Sequence, residues 1–192
     1  LAARRGKTLI GMEDIEDAFI KVIAGPKKKA RAMKESEKKH TAYHEAGHAM
    51  IAYYLGLDPV QQISIIPSGN ALGYTLNPPK EDKYSVYKTE LNEKIAMLLG
   101  GRAAEEIIFG DVSGGASNDI QRATDIARKM ITKYGMSDKL GLVVYGNDNN
   151  EVFLGRDFSA DKNYSEATAA VIDSEIQRFV NEGYALALKT LE

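Results

Sequence analysis

Residues 44–48 read His-Glu-Ala-Gly-His, inside the stretch YHEAGHAMIAYYLG that runs from Tyr43 to Gly56. No other part of the chain limits the fold as much. Two histidines four apart share a face only on a helix, where residues i and i+4 sit about one turn apart. From there His44 and His48 can each aim a ring nitrogen at one ion, at about 2 Å. Glu45 follows directly and can serve as general base toward a water at that ion. The plainer alternative is a packed helix carrying two hydrogen-bonded histidines. Gly47 weighs against it, because glycine inside a helix costs roughly 1 kcal/mol relative to alanine.

His40 is a third histidine, four residues before His44. It lies about 12 Å along the helix axis from His48, so one ion cannot bind both at ligand distance. It reads as a surface or flank residue. A third ligand must come from elsewhere, and a carboxylate suits a site that keeps one position open. Glu105 and Glu106 on a later helix are candidates. Asp119, which opens another helix, is also a candidate. Its plainer role is to complement the helix dipole. Residue types and spacing leave these alternatives open.

Composition excludes several other chemistries. The 192 residues contain no cysteine, which removes disulfides, thiolate zinc sites and thiol nucleophiles. The formal net charge of -2 gives no general attraction to nucleic acid. No apolar run reaches the roughly 18–20 residues needed to span a membrane. The chain opens without Met, on sequence that reads as mid-helix, and ends without a helix stop. Both ends are those expected of a piece of a longer polypeptide.

Periodicity predicts a mainly α chain with a small β element. Residues 1–5 read as a helix tail. Ile15, Ala18, Phe19, Val22 and Ile23 then form one helical stripe, closed by Gly25 and Pro26. A charged, aperiodic run from Lys27 follows, and it places a domain boundary near residue 33. The histidine helix should span about Ser36 to Leu55 and stop at Gly56. Ile63–Ile66 and Leu72–Leu76 read as strands around a Ser68-Gly69-Asn70 turn. A third helix, with Thr89 as N-cap, carries Leu91, Ile95, Leu98, Leu99, Ala103 and Ile107 on one face. Gly100 and Gly101 imply either close backbone packing or a break in that helix. A further helix ends at Gly135 and aligns Ile120, Ala123, Ala127, Met130, Ile131 and Tyr134. Residues 140–155 suggest a short hairpin or meander with a polar turn, and a last helix starts near Ser165.

Five stretches together carry a close family likeness: AYHEAGHA, ISIIPSGNALGYT, LLGGRAAEEIIFG, GASNDIQRATDIARKMITKYGMSDKLG and EVFLG. On these motifs the chain resembles the FtsH family of membrane-anchored, ATP-dependent zinc metalloproteases, over practically its whole length. The resemblance implies a helical metalloprotease domain with one Zn2+ per subunit, over residues 34–192, cut short at its C-terminus. It makes residues 1–33 the last part of an ATPase lid plus linker. It implies that His44, His48 and Asp119 bind the metal and that Glu45 is the base, with Glu105 as a supporting residue or rival ligand. It implies cleavage of unfolded or damaged polypeptides, a homo-hexamer, and a place at the cytoplasmic face of a bacterial inner membrane. ATP would act only in a motor part, since no GxxxxGK[ST] loop is present; the membrane anchor is likewise absent. An extended substrate could add as an edge strand along Leu72, Gly73, Tyr74 and Thr75; an ordinary interior strand is the alternative. Two departures stand out. Ser68 and Gly69 replace a basic residue common in the family, and His40 takes a usually aliphatic position. A non-catalytic oligomeric scaffold of the same fold is the rival function. It should lack a ligand or the base, and here all four residues are present.

Overall fold

The computed structural model describes residues 2–23, 25, 33–67, 72–79, 85–146 and 163–192. Five α-helices and two short strands make up its regular elements, with 3-10 turns at Ala3–Arg5 and Gly114–Ala116. The helices are α1 (Met12–Ile23), α2 (Glu35–Tyr54), α3 (Lys88–Phe109), α4 (Ser117–Thr132) and α5 (Glu166–Leu191). The strands β1 (Gln62–Ser64) and β2 (Tyr74–Leu76) pair antiparallel, with Ile63 opposite Thr75. The mainly α reading with a small β element therefore holds.

The histidine helix is bounded by local chemistry. At its start the Glu37 carboxylate accepts the Lys34 backbone N–H at 3.2 Å, which is half of a capping box. At its end Gly56 turns left-handed at φ 68. That turn lets Leu57 N–H reach the Ala52 carbonyl at 2.9 Å, so the last carbonyls are satisfied.

Helix α3 lies at the centre and packs against α2, α4 and α5. Its Leu91, Ile95, Leu98 and Leu99 meet Ala127, Met130 and Ile131 of α4, and Ile172 and Phe179 of α5, in one apolar core. On its other side Ala96 and Ala103 join Ile51 of α2. The crossing of α2 over α3 explains the glycines. A Cβ on Gly47 would stand 2.3 Å from the Gly100 carbonyl oxygen, and one on Gly100 would stand 2.8 Å from Ile51 Cδ1. Helix α3 continues through Gly100 and Gly101; close packing, not a break, is their role.

Several expectations need correction. Helix α3 starts at Lys88, with Tyr87 at the N-cap and no side-chain cap bond, so Thr89 is already inside it. Ile107 and Ile120 are exposed rather than part of a buried stripe, and Tyr134, also exposed, lies beyond the end of α4 at Thr132. Ile15, Phe19 and Val22 of α1 are exposed too; among the described elements, α1 packs on no other α-helix or strand, while its Asp14 and Asp17 accept from Arg5 of the preceding turn. The tail expected at residues 1–5 is a 3-10 turn at Ala3–Arg5. Leu72 and Gly73 precede β2 rather than belonging to it, and β1 ends at Ser64. Residues 141–146 form no strand. The rest of that expected hairpin, the EVFLG motif, the Ser68-Gly69-Asn70 turn and most of the expected linker lie outside the described residues.

Candidate active site

Helical spacing brings His44 Nε2 and His48 Nε2 to 3.1 Å from each other. Tertiary contacts fix both rings from behind. His48 Nδ1 lies 2.7 Å from the Met97 carbonyl oxygen on α3. A carbonyl only accepts, so Nδ1 carries the proton and Nε2 presents a lone pair. His44 Nδ1 lies 2.7 Å from Glu105 Oε1. The same tautomer follows, because the Glu105 carboxylate also accepts from Ser113, from N–H at 2.8 Å and from Oγ at 3.1 Å. Gly101 makes room for this arrangement, since a Cβ there would lie 2.5 Å from the His44 ring.

Asp119 reaches the pair from the first turn of α4. Its Oδ2 is 3.5 Å from His44 Nε2 and 3.7 Å from His48 Nε2. Ser113 ties the preceding loop to Glu105, and Arg102 Nη1 donates to the Ser113 carbonyl at 3.2 Å. Helix α4 is thereby started at the height of the histidines.

This triangle fits a tetrahedral zinc ion. Ligand bonds near 2 Å put neighbouring donors about 3.3 Å apart, and the three edges here run from 3.1 to 3.7 Å. Two imidazole nitrogens and one carboxylate oxygen are zinc donors, and one coordination position is left. The surroundings draw positive charge to the spot. Burial opposes charge on His44, yet hydrogen bonding to Asp119 and Glu105 outweighs it and holds the His44 pKa above the ordinary imidazole value. Burial pushes His48 down and keeps it neutral. Burial also works against ionisation of Asp119, but the His44 hydrogen bond overcomes it and keeps the carboxylate below its usual range.

Glu45 is buried beside the triangle. Its pKa is raised by burial, and a hydrogen bond from Thr75 acts in the opposite direction. Thr75 Oγ1 donates to Glu45 Oε2 at 2.7 Å and lies 3.0 Å from the Glu45 backbone oxygen. A raised carboxylate next to a cation site has the basicity a proton shuttle needs. All these groups open into one cleft of about 910 Å³, bordered by β2 and by Leu72 and Gly73.

The structure thus brings His44, Glu45, His48 and Asp119 together, with Glu105 behind His44. His40 stays outside the triangle: it stacks on Phe109 with centroids 4.9 Å apart, and its Nδ1 is 3.7 Å from Glu105 Oε1. Glu106 points elsewhere and accepts from the Tyr184 hydroxyl. The sequence did not reveal the parts played by the Met97 carbonyl, by Ser113 or by the Thr75 hydroxyl. Gly101, flagged as a misfit in its helix, was the one local signal near them.

A family model, Peptidase family M41, matches residues 31–192. Among curated relatives, the chain is 56% identical over 192 residues to "ATP-dependent zinc metalloprotease FtsH 2" of Alkaliphilus metalliredigens, covering 100% of this chain and 28% of that protein. It is 52% identical over 193 residues to "ATP-dependent zinc metalloprotease FtsH 1" of a Thermoanaerobacter species, covering 100% and 32%. It is 51% identical over 189 residues to "ATP-dependent zinc metalloprotease FtsH" of Thermotoga maritima, covering 97% and 31%. The chain spans about a third or less of the length of these relatives.

Proposed function

This chain belongs to peptidase family M41, and from that premise we propose that it is a zinc endopeptidase unit of an ATP-dependent protease of the FtsH type. The observation that carries the reading is the convergence of His44 Nε2, His48 Nε2 and Asp119 Oδ2 beside the buried Glu45. His44, His48 and Asp119 hold the ion. When bound, zinc supplies Lewis acidity to the scissile carbonyl and to the attacking water. Glu45 accepts the proton that the water gives up and passes it to the leaving amine. Glu105 and the Met97 carbonyl keep the two rings in the tautomer that offers Nε2.

Substrates are unfolded or damaged polypeptides of membrane and cytosol, read as extended chains. In support, β2 is paired on one side only among the described residues, and it borders the cleft. An extended peptide fits along Leu72, Gly73, Tyr74 and Thr75. Residues 34–192 form the protease domain, and residues 1–33 are a lid remnant with its linker; the separateness of α1 supports that division. Family resemblance supports a homo-hexamer, a motor that uses ATP, and a site at the cytoplasmic face of a bacterial inner membrane. Among the described residues no helix is long and apolar enough to cross a membrane.

The test is metal analysis joined to one variant. The purified chain should hold one zinc, and Glu45→Gln should keep it while losing nearly all hydrolysis of a casein-type unfolded substrate. An amide cannot take the water proton at neutral pH. A Glu45→Gln variant within a few-fold of wild type would reject the base.

A further inference from the structure

The proposed base is held from outside its own helix. Glu45 has two carboxylate oxygens, and the β2 region deals with each differently. Oε2 accepts from Thr75 Oγ1 at 2.7 Å. Oε1 lies against Gly73, where a Cβ would come within 2.9 Å of it. One oxygen is therefore tethered, and the other takes the space that the missing Cβ of Gly73 leaves; both residues line the cleft. The tether is short, half-buried and made to a carboxylate, and hydrogen bonds to an ionised carboxylate are roughly twice as strong as neutral ones.

The Thr75 hydroxyl also lies 3.0 Å from the Glu45 backbone oxygen. A hydroxyl has a single proton, which it can turn from one acceptor to the other. A single strand position thus reaches both the side chain and the backbone of Glu45.

We propose that Thr75 is a positioning residue for Glu45, fixing the carboxylate so that Oε1 faces the reacting water. This rests on Glu45 being the base. The side chain of Thr75 acts through Glu45, whereas its backbone belongs to the strand on which a substrate would pair. The two roles predict different kinetics. Loss of the hydroxyl misplaces the base and lowers kcat, while loss of strand geometry weakens substrate binding and raises KM.

Thr75→Val keeps the β-branched shape and removes the hydroxyl; Thr75→Ser keeps the hydroxyl. In the zinc-loaded chain, Thr75→Val should lower kcat about tenfold to a hundredfold, the scale of a misplaced catalytic group. KM should stay within about twofold, and zinc content should stay at that of wild type. Thr75→Ser should restore kcat. A second readout needs no turnover: the side-chain carboxylate carbon resonance of Glu45, labelled with carbon-13, should move in Thr75→Val and return in Thr75→Ser. An unmoved resonance overturns the tether. A moved resonance with unchanged kcat, or with a rise in KM alone, overturns the positioning role. A wild-type chain that holds zinc but cuts nothing overturns the peptidase reading and the catalytic half of this proposal, while the resonance alone decides the tether.

Discussion

Glu105 Oε1 and His44 Nδ1 meet at 2.7 Å from two helices, 61 residues apart in sequence. Its contact with His44 is at Nδ1, the ring nitrogen away from Asp119. It accepts from His44 and from Ser113, and so binds the histidine helix to the loop that leads into Asp119. It supports two of the three proposed ligands at once.

That geometry separates two variants. Asp119→Ala removes a proposed ligand and should purify with little zinc. Glu105→Ala removes a supporting partner, whose loss typically lowers metal affinity 10–100-fold, so it should retain zinc at saturating metal. Competition titration against a chelator checks both, after circular dichroism has established folding. If Glu105→Ala strips the metal and Asp119→Ala keeps a full equivalent, the ligand assignment is wrong.

The glycines should fall into two classes. At Gly101 an added methyl meets the His44 ring at 2.5 to 2.6 Å. A ring can swing, so Gly101→Ala should unseat His44 from Glu105 and weaken zinc binding at least tenfold, with a modest loss of stability. At Gly47 the added methyl meets backbone, the Gly100 carbonyl oxygen at 2.3 Å. Backbone in a packed crossing cannot yield cheaply, and Gly47→Ala should cost about 3 kcal/mol of stability. Urea unfolding beside zinc titration distinguishes the two. Equal effects on both measurements for both variants would count against the distinction.

A pH effect is expected far from the cleft. Glu175 on α5 is fully buried. It accepts from Arg178 at 2.8 and 3.0 Å and from Ser137 Oγ at 2.7 Å, and it pairs with Lys139 at 3.1 Å. The Arg178 hydrogen bonds above all hold its pKa down to about 2, against an ordinary 4.5. A depressed folded-state pKa stabilises the fold above the unfolded value, and that stability drains as pH falls through the folded one. Wild type should therefore lose stability between about pH 4.5 and pH 2 beyond what Glu175→Gln loses. At pH 7 the variant should be less stable by about 1–3 kcal/mol, the cost of a broken buried polar contact. Parallel unfolding curves for the two proteins across that acid range would reject the effect.

Chelation gives another test. An ion that binds only the folded chain stabilises it by about 4 kcal/mol at a thousandfold excess over its dissociation constant. Removal of zinc should lower the melting temperature, and zinc should restore it. In Asp119→Ala the same additions should change little. An unchanged melting temperature in wild type would argue against a metal joined to the fold.

What the sequence made legible was local. His44 and His48 share a helix, so spacing alone placed their rings together. Gly100 and Gly101 were visible as misfits in a good helix, which left close packing and a break both open; Gly47 weighed only toward the metal reading. Asp119 was one of several carboxylates by pattern, and only the family likeness singled it out. Its proximity to the histidines depends on how α3 delivers the next loop. The Met97 carbonyl, Ser113 and the Thr75–Glu45 bond had no local signature, because each exists only once elements cross. The errors have the same origin. Ile107 and Ile120 keep the helical period but stay exposed, because period does not say what covers a face; Tyr134 keeps it past the point where α4 ends. At Thr89 the cap preference lost to a start two residues earlier, with Tyr87 at the N-cap and Lys88 the first helical residue.

The close approach of Gly47 and Gly100 makes the site a property of two helices. Helix α2 alone holds two histidines and a glutamate, with nothing behind the rings to turn them. Met97 and Glu105, which orient the rings, sit on α3, just to either side of the glycine contact. A newly made chain whose two helices have not yet met has neither aligned rings nor an anchored Asp119 loop. The ring orientations of the folded chain therefore exist only once the backbones of α2 and α3 have closed on each other.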